Sequence, residues 1–391
     1  MKTIWIVLLK ELRESLRDRR TLLNALLVGP LLGPVLFVVL MKTMINREVA
    51  RAEKPLPVVV IGAEYAPNLI AALQQSGMAM QAAIEEPEAA VRAQQVDVVL
   101  RIPESYADNW RAGKSAQVEL IYDSSRRDTG SQIQRLRGML NRYAQLQGSL
   151  RVVARGLSPE ITRPLLLADR DQATPQARGA LLFAMLPYML IFAALMGGMF
   201  LAIDATAGER ERQSLEPLLI NPVSRSHILL GKLGAIGTFS LSGVLLGLIA
   251  FTVAAKVLAT GPISVPVVLN LEFALRWLPL MLPLIALIAV LQVLVTAFAK
   301  TFREAQTWLG LLQLLPVIPL MIVTVLQVKP VLWMYAVPLL GQELAALQLL
   351  RGAPVTLMES GLCALSTLVV ALATFKLAQR VYASERLAIA V

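Results

Sequence analysis

The chain has 391 residues, 56% of them hydrophobic and 16% charged, with a mean hydropathy of +0.62 and a formal net charge of +10. A soluble globular domain is about 45–50% apolar and about 25% charged, so the apolar excess must be placed in lipid or exposed in water as large patches. One Cys (Cys363) and one His (His227) exclude a disulfide framework and a Cys/His metal cluster.

Residues 1–21 read as an amphipathic helix lying in a membrane interface. Ile4, Leu8, Leu12 and Leu16 recur at four-residue spacing, and Lys10, Arg13, Arg17 and Arg20 occupy much of the rest. The first span is expected within residues 22–44, with an uncharged run from Leu22 to Met41. That run exceeds the about 7–15 residues of a signal-peptide core, and no small-residue cleavage site follows it directly, so it is read as retained.

Residues 45–178 are polar and hold no stretch that could span. Strands are expected at Leu56 to Gly62, Val96 to Pro103 and Gln117 to Asp123. Helices are expected from Pro67 to Gly77, from Pro87, and from about Gly130 to Arg155. The last would carry Ile133, Leu136, Leu140, Tyr143 and Leu150 as its apolar residues. This is a small α/β domain inserted between the first two spans. It has no His, Cys or Gly-x-Ser-x-Gly motif, and Glu85, Glu86 and Glu88 sit in a polar turn, so catalysis there is disfavoured.

Residues 179–391 carry the remaining spans. Uncharged runs cover Ala180 to Ile203, Leu233 to Ala255, Trp277 to Ala299 and Ala305 to Val328. Gly352 to Phe375 joins them if Glu359 lies near the interface. At about 1.5 Å per residue, each run crosses the roughly 30 Å hydrocarbon core as a helix, and continuous apolarity disfavours barrel strands. Pro330 to Gln342 is uncharged but too short to span, with Pro338 and Gly341 as breaks, so residues 330–350 read as re-entrant. The expected fold class is an α-helical polytopic membrane protein. It has six transmembrane helices, an inserted extracytoplasmic α/β domain between the first two, and a re-entrant segment before the last.

Lys and Arg in short loops orient the spans. Residues 1–21 hold Lys2, Lys10, Arg13, Arg17, Arg19 and Arg20. The loop after the second span holds Arg210, Arg212, Arg225 and Lys232, the next on that side Lys300 and Arg303, and the tail Lys376, Arg380 and Arg386. On the opposite side the loop from Thr260 to Glu272 has none, and the stretch between the fifth and sixth spans has only Lys329 and Arg351. Both termini are therefore expected in the cytoplasm of a cell (inner) membrane, with residues 45–178 outside. The basic surplus faces membrane lipid and a cytoplasmic partner, and no nucleic acid is needed to explain it.

The segment 204–232 is the most distinctive. Glu209, Arg210, Glu211 and Arg212 alternate in sign and call for water or a partner; Leu215, Leu218 and Leu219 form an apolar face; Pro217 and Pro222 break it; and Ser224 can cap the next helix. The run GERERQSLEPLLINPVSRSHILLGK, Gly208 to Lys232, closely resembles the loop after the second span in type-2 ABC export permeases. The match falls on Glu209, Arg210, Glu211, Leu215, Glu216, Leu218, Leu219, Pro222, Ser224, Gly231 and Lys232, with Gln213 and Ser214 replacing the family's usual Gly-Thr. KELRESLRDRRTLL, from Lys10, and VDVVLRIPESYADNW in the inserted domain resemble the NatB sodium-export group.

The resemblance implies a pair of permease copies working with two cytoplasmic ABC ATPase subunits that bind ATP and magnesium. It implies that Arg13 and Arg17 of the first helix, and Glu209 to Arg212, Leu215, Glu216, Leu218, Pro222 and Ser224, couple to the ATPase. Reversing Glu209 and Glu211 to Lys is then expected to uncouple ATP hydrolysis from transport while leaving membrane insertion intact. The chain has no phosphate loop of its own, since Gly113-Lys114-Ser115 lacks the earlier glycine and Gly231-Lys232 is followed by Leu233. No cofactor is expected in this chain. Asp204, Glu343 and Glu359 are the ionisable candidates for a translocation pathway. The cargo is expected to be a sodium ion or an amphipathic or hydrophobic compound. A membrane-anchored extracytoplasmic binding module would not need the charged segment, and the spans show no repeat between their halves of the kind many ion-coupled carriers have.

Overall fold

A computed structural model describes residues 2–126, 129–162, 165, 168, 170–214, 223–259, 269–326 and 328–383. The chain forms two units: Met1–Met44 with Gln172–Val391, and Ile45–Asp171. Among the described residues, six helices are long and apolar enough to cross a membrane.

Helix α1 (Lys2–Arg17) leads through Arg19–Leu22 and a π-helical segment, Leu23–Val28, into α2 (Gly29–Glu53). The apolar run that opens at Leu22 is thus helical, but its hydrogen-bond register changes before the span proper, Gly29–Arg47, begins.

The smaller unit runs β1 (Leu56–Ile61), α3 (Pro67–Gln75), β2 (Met78–Gln81), α4 (Pro87–Arg92), β3 (Val98–Arg101), α5 (Ser105–Arg111), β4 (Glu119–Tyr122) and α6 (Gly130–Val153). The sheet order is β2-β1-β3-β4, with β1 parallel to β2 and β3, and β4 antiparallel to β3. Successive side chains of a strand face opposite ways. Val58, Val60, Val98 and Leu100 accordingly pack with Leu73 and Leu136, while Val59 and Val99 pack with Val91 on the other face. Two elements were not anticipated. β2 has the sequence MAMQ, without a β-branched residue, and forms by pairing with the edge of β1. α5 is polar in sequence but stacks Tyr106 on Trp110, and Trp110 on Tyr143, at centroid distances of 5.6 and 5.9 Å. Leu150, expected on the apolar face of α6, is exposed.

In the larger unit, a short helix, Pro175–Leu182, precedes α7 (Leu186–Ile203). α7 continues through π-helical Asp204–Gly208 to Glu211, so the first residues of the expected loop prolong the span. α8 (Arg225–Ala259), α9 (Leu271–Phe298) and α10 (Phe302–Leu312) follow, the last extending to Val325 as Val317–Leu320 and Met321–Val325. A 3-10 turn, Leu332–Ala336, α11 (Leu340–Leu350) and α12 (Leu357–Ala383) complete the unit. In the segment read as re-entrant, the break falls at Leu339 (φ 72°). Gly341 is no break: it lies inside α11, where a Cβ would come within 2.4 Å of the Tyr335 carbonyl. Fully buried Gln342 pins the segment. Its Nε2 donates to Thr367 Oγ1 at 2.9 Å, and its carbonyl accepts from Trp277 Nε1 at 3.0 Å.

Lipid gives helices no hydrophobic drive to associate, so close packing through small residues must serve instead. α7 and α8 cross in that way. A Cβ on Gly197 would lie 2.7 Å from the Phe239 carbonyl, and one on Gly243 would lie 2.7 Å from the Ala193 carbonyl. Gly243→Val is expected to force this crossing apart and destabilise the protein by about 1–3 kcal/mol, the usual range for overpacking. Gly237→Ala, whose added methyl meets nothing nearer than 3.8 Å, is the control. Thermal unfolding in detergent micelles compares the two.

Candidate functional site

At about 100° per residue, the side chains of α1 fall on three faces. Val7, Glu11 and Ser15 are buried. Trp5, Leu9 and Leu16 form an exposed apolar face. Lys2, Arg13 and Arg17 form an exposed cationic one. The inner face is therefore rotated from the expected Ile4–Leu8–Leu12–Leu16 line, and Leu16 points outward. α8 makes room with glycines: a Cβ at Gly231 would lie 2.6 Å from Val7 Cβ, and one at Gly234 would lie 2.8 Å from Leu8 Cδ1.

The buried face of α1 carries a carboxylate because α8 supplies a cation. Lys232 is 0% exposed, and its Nζ donates to the Glu209 carboxylate and to the Ala205 carbonyl. Glu209, 6% exposed, also receives Lys10 Nζ at 3.3 Å, and Lys10 reaches Glu11 at 3.2 Å and Glu14 at 3.4 Å. The electrostatics follow from this enclosure. Burial, the largest influence, raises the Glu11 carboxyl above its ordinary range against the opposing pull of Lys232 and Lys10. Burial alone would lower the Lys10 ammonium, but Glu11, Glu209 and Glu14 together hold it above its ordinary value.

The neighbouring charges tie helix ends. The last carbonyls of a helix lack partners within it and carry partial negative charge. Arg210 donates to the Ala297 and Ala299 carbonyls at 2.8 and 3.1 Å, closing the end of α9. Glu211 accepts from the Phe302 N–H at 2.8 Å, at the start of α10. Arg225 donates to the Tyr382 and Ala383 carbonyls at 3.3 and 3.0 Å, closing α12. Arg212 pairs with Asp204 at 2.8 Å along its own helix.

This placement revises the expected roles. Glu209 and Arg210 turn inward and find their partners within the chain, so they offer no docking surface. A Glu209→Lys reversal would set a third cation beside Lys232 and Lys10, and so disturbs the fold before it tests any partner. Arg13, Arg17, Glu211 and Arg212 remain exposed. Leu215, Glu216, Leu218 and Pro222 lie outside the described residues. Ser224 directly precedes α8, and its carbonyl accepts from the Ile228 N–H at 3.3 Å. Lys10, Glu11, Lys232 and Arg225 were not singled out from the sequence as site residues. The signal that could have found them is Glu11 itself, an acid three to four residues from Val7, Leu8 and Ser15.

The three pathway candidates separate. Asp204 is held by Arg212. Glu359 closes a capping box at the start of α12: its carboxylate accepts from Thr356 N–H and hydroxyl at 2.8 and 2.9 Å, and Thr356 Oγ1 accepts from the Glu359 N–H at 3.2 Å. Glu343, on α11, is 0% exposed, and neither carboxyl oxygen has a hydrogen-bond partner among the described residues.

Residues 25–376 match the family model described as ABC-2 family transporter protein. The chain is also 24% identical over 315 residues to the ABC transporter permease protein NatB of Bacillus subtilis (strain 168), covering 80% of each chain.

Proposed function

The chain belongs to the ABC-2 transporter family and is a multi-pass membrane permease of an ABC transporter; from that premise we propose that it exports its cargo on force delivered by a separate ATPase. The ATPase would bind ATP and magnesium, and a second copy of this permease would complete the assembly. The distribution of Lys and Arg supports placing α1 and the charged junction in the cytoplasm and residues 45–178 outside.

The observation that carries this reading is the junction itself. Glu209 and Lys10 tie α1 to the end of α7, Lys232 ties α8, Arg210 ties α9, Glu211 ties α10 and Arg225 ties α12. A displacement of α1 or of the Glu209–Arg212 turn therefore reaches five of the six spans together. A membrane-anchored receptor has no use for such a linkage. The exposed cationic face of α1, with Arg13 and Arg17, is the docking surface for the ATPase. Glu343 is the pathway residue, since an ionisable group inside a membrane is retained for function rather than for stability.

Reversing Arg13 and Arg17 to Glu is expected to lower permease-stimulated ATP hydrolysis in proteoliposomes by about tenfold, as the loss of two charge-assisted contacts predicts. Thermal stability should stay within about 0.5 kcal/mol of the parent, because both side chains are exposed. An ATPase indifferent to this double variant would remove the docking assignment.

A further inference from the structure

We propose that the cleft between the end of the fifth span, α11 and the start of α12 binds a single-chain amphiphile with an acidic head group, and that this is the class of the cargo. The second part rests on the permease reading above. The cleft has a volume of about 590 Å3, well inside the range of pockets that hold drug-sized ligands. Val323, Leu344 and Leu347 form its apolar wall.

The polar side chains on its lining have partners within the protein, Thr324 through the Leu320 carbonyl, apart from two cations. Tyr335 Oη donates to Gln348 Oε1 at 2.6 Å, and Gln348 Nε2 donates to the Pro354 carbonyl at 2.9 Å. The Glu359 carboxylate is held by Thr356 as a helix cap. The side chains of Lys329 and Arg351, both exposed at the rim, have no ion pair or hydrogen bond among the described residues. Thr356 engages only Oε2 of Glu359, so among the described residues the cleft sets two free cations against one free carboxylate oxygen, an excess that calls for a ligand bringing acceptors. Its apolar wall calls for a chain behind them. The planar guanidinium of Arg351 suits a bidentate carboxylate or phosphate, and Lys329 adds a point charge.

The test uses the full permease in phosphatidylcholine nanodiscs, with the fluorescent polyene cis-parinaric acid as probe and palmitate, glyceryl monopalmitate and inorganic phosphate as competitors. Palmitate is expected to displace the probe about tenfold more tightly than the uncharged ester, the effect of one charge-assisted contact. Lys329→Ala with Arg351→Ala should abolish that preference while leaving the ester's affinity unchanged. Leu347→Trp, which fills the cleft, should weaken both. Equal affinity for acid and ester, displacement by phosphate alone, or binding that ignores Leu347→Trp would each overturn the proposal. No ATPase takes part, so failure here leaves the coupling reading standing. Intact binding with no coupling to an ATPase would sink that reading alone.

Discussion

Lys232→Met is expected to be among the most damaging single substitutions in the chain, costing about 3–5 kcal/mol, the usual consequence of removing one partner from a buried ion pair. The reason is local. Glu209 and Glu11, 6% and 2% exposed, would be left to share the half-buried ammonium of Lys10. The Ala205 carbonyl would lose its donor as well. The deficit should depend on pH with a definite sign. The Glu11 carboxyl is already raised by burial, with Lys232 the strongest opposing influence, so removing Lys232 raises it further. The folded state then binds a proton that the unfolded chain releases, and stability falls as pH rises from the ordinary carboxylate range upward. The variant should therefore lie closer to the parent at about pH 5 than at about pH 8. Adding Glu209→Gln to Lys232→Met should recover part of the loss, because the pair is coupled. Unfolding temperatures of the four proteins in micelles supply the cycle; strict additivity would mean that the pair contributes nothing.

Glu343 offers the opposite outcome. Glu343→Met is expected to raise stability by about 1–3 kcal/mol, since it removes a buried polar group that has no hydrogen-bond partner among the described residues. The same substitution should depress transport, because a residue that weakens the fold in this way is kept for its activity. Glu343→Gln keeps the shape and should sit near the parent in stability. Glu343→Lys places an unmatched ammonium at the same enclosed position and should prevent accumulation of folded protein, at a cost of several kcal/mol. The decisive comparison is melting temperature against transport rate in proteoliposomes. A Met variant that melts lower than the parent would show that the carboxyl is matched after all and would end its assignment to the pathway.

The membrane-spanning part of the fold was legible because lipid imposes length and apolarity, and both are written in residue types. The inserted domain was legible where strands carry β-branched residues, as in LPVVVI, and not where pairing alone makes the strand, as in MAMQ. The rotation of α1 was not legible. Four-residue leucine spacing marks an apolar stripe, but it does not say which side faces protein and which faces lipid, and the side that packs inside carries Glu11 and Ser15 beside Val7. The junction was half legible. The sign alternation of Glu209 to Arg212 was plain, but the acceptors of Arg210 and Arg225 are backbone carbonyls, which every residue has, so the charges looked as though they needed an outside partner. Thr356 and Glu359 carried a readable signature that was passed over, because threonine followed by glutamate three residues later is the pattern of a reciprocal helix cap.

The ties at the junction also set an order of events during synthesis. Arg210 must wait for carbonyls 87 and 89 positions downstream, and Arg225 for carbonyls 157 and 158 positions downstream. Arg210 finds its acceptors once α9 is complete, whereas the Arg225 guanidinium has none of its carbonyls until the last turn of α12 is made. A chain truncated before residue 382 would lack both acceptors of Arg225 and leave the start of α8 untied to α12.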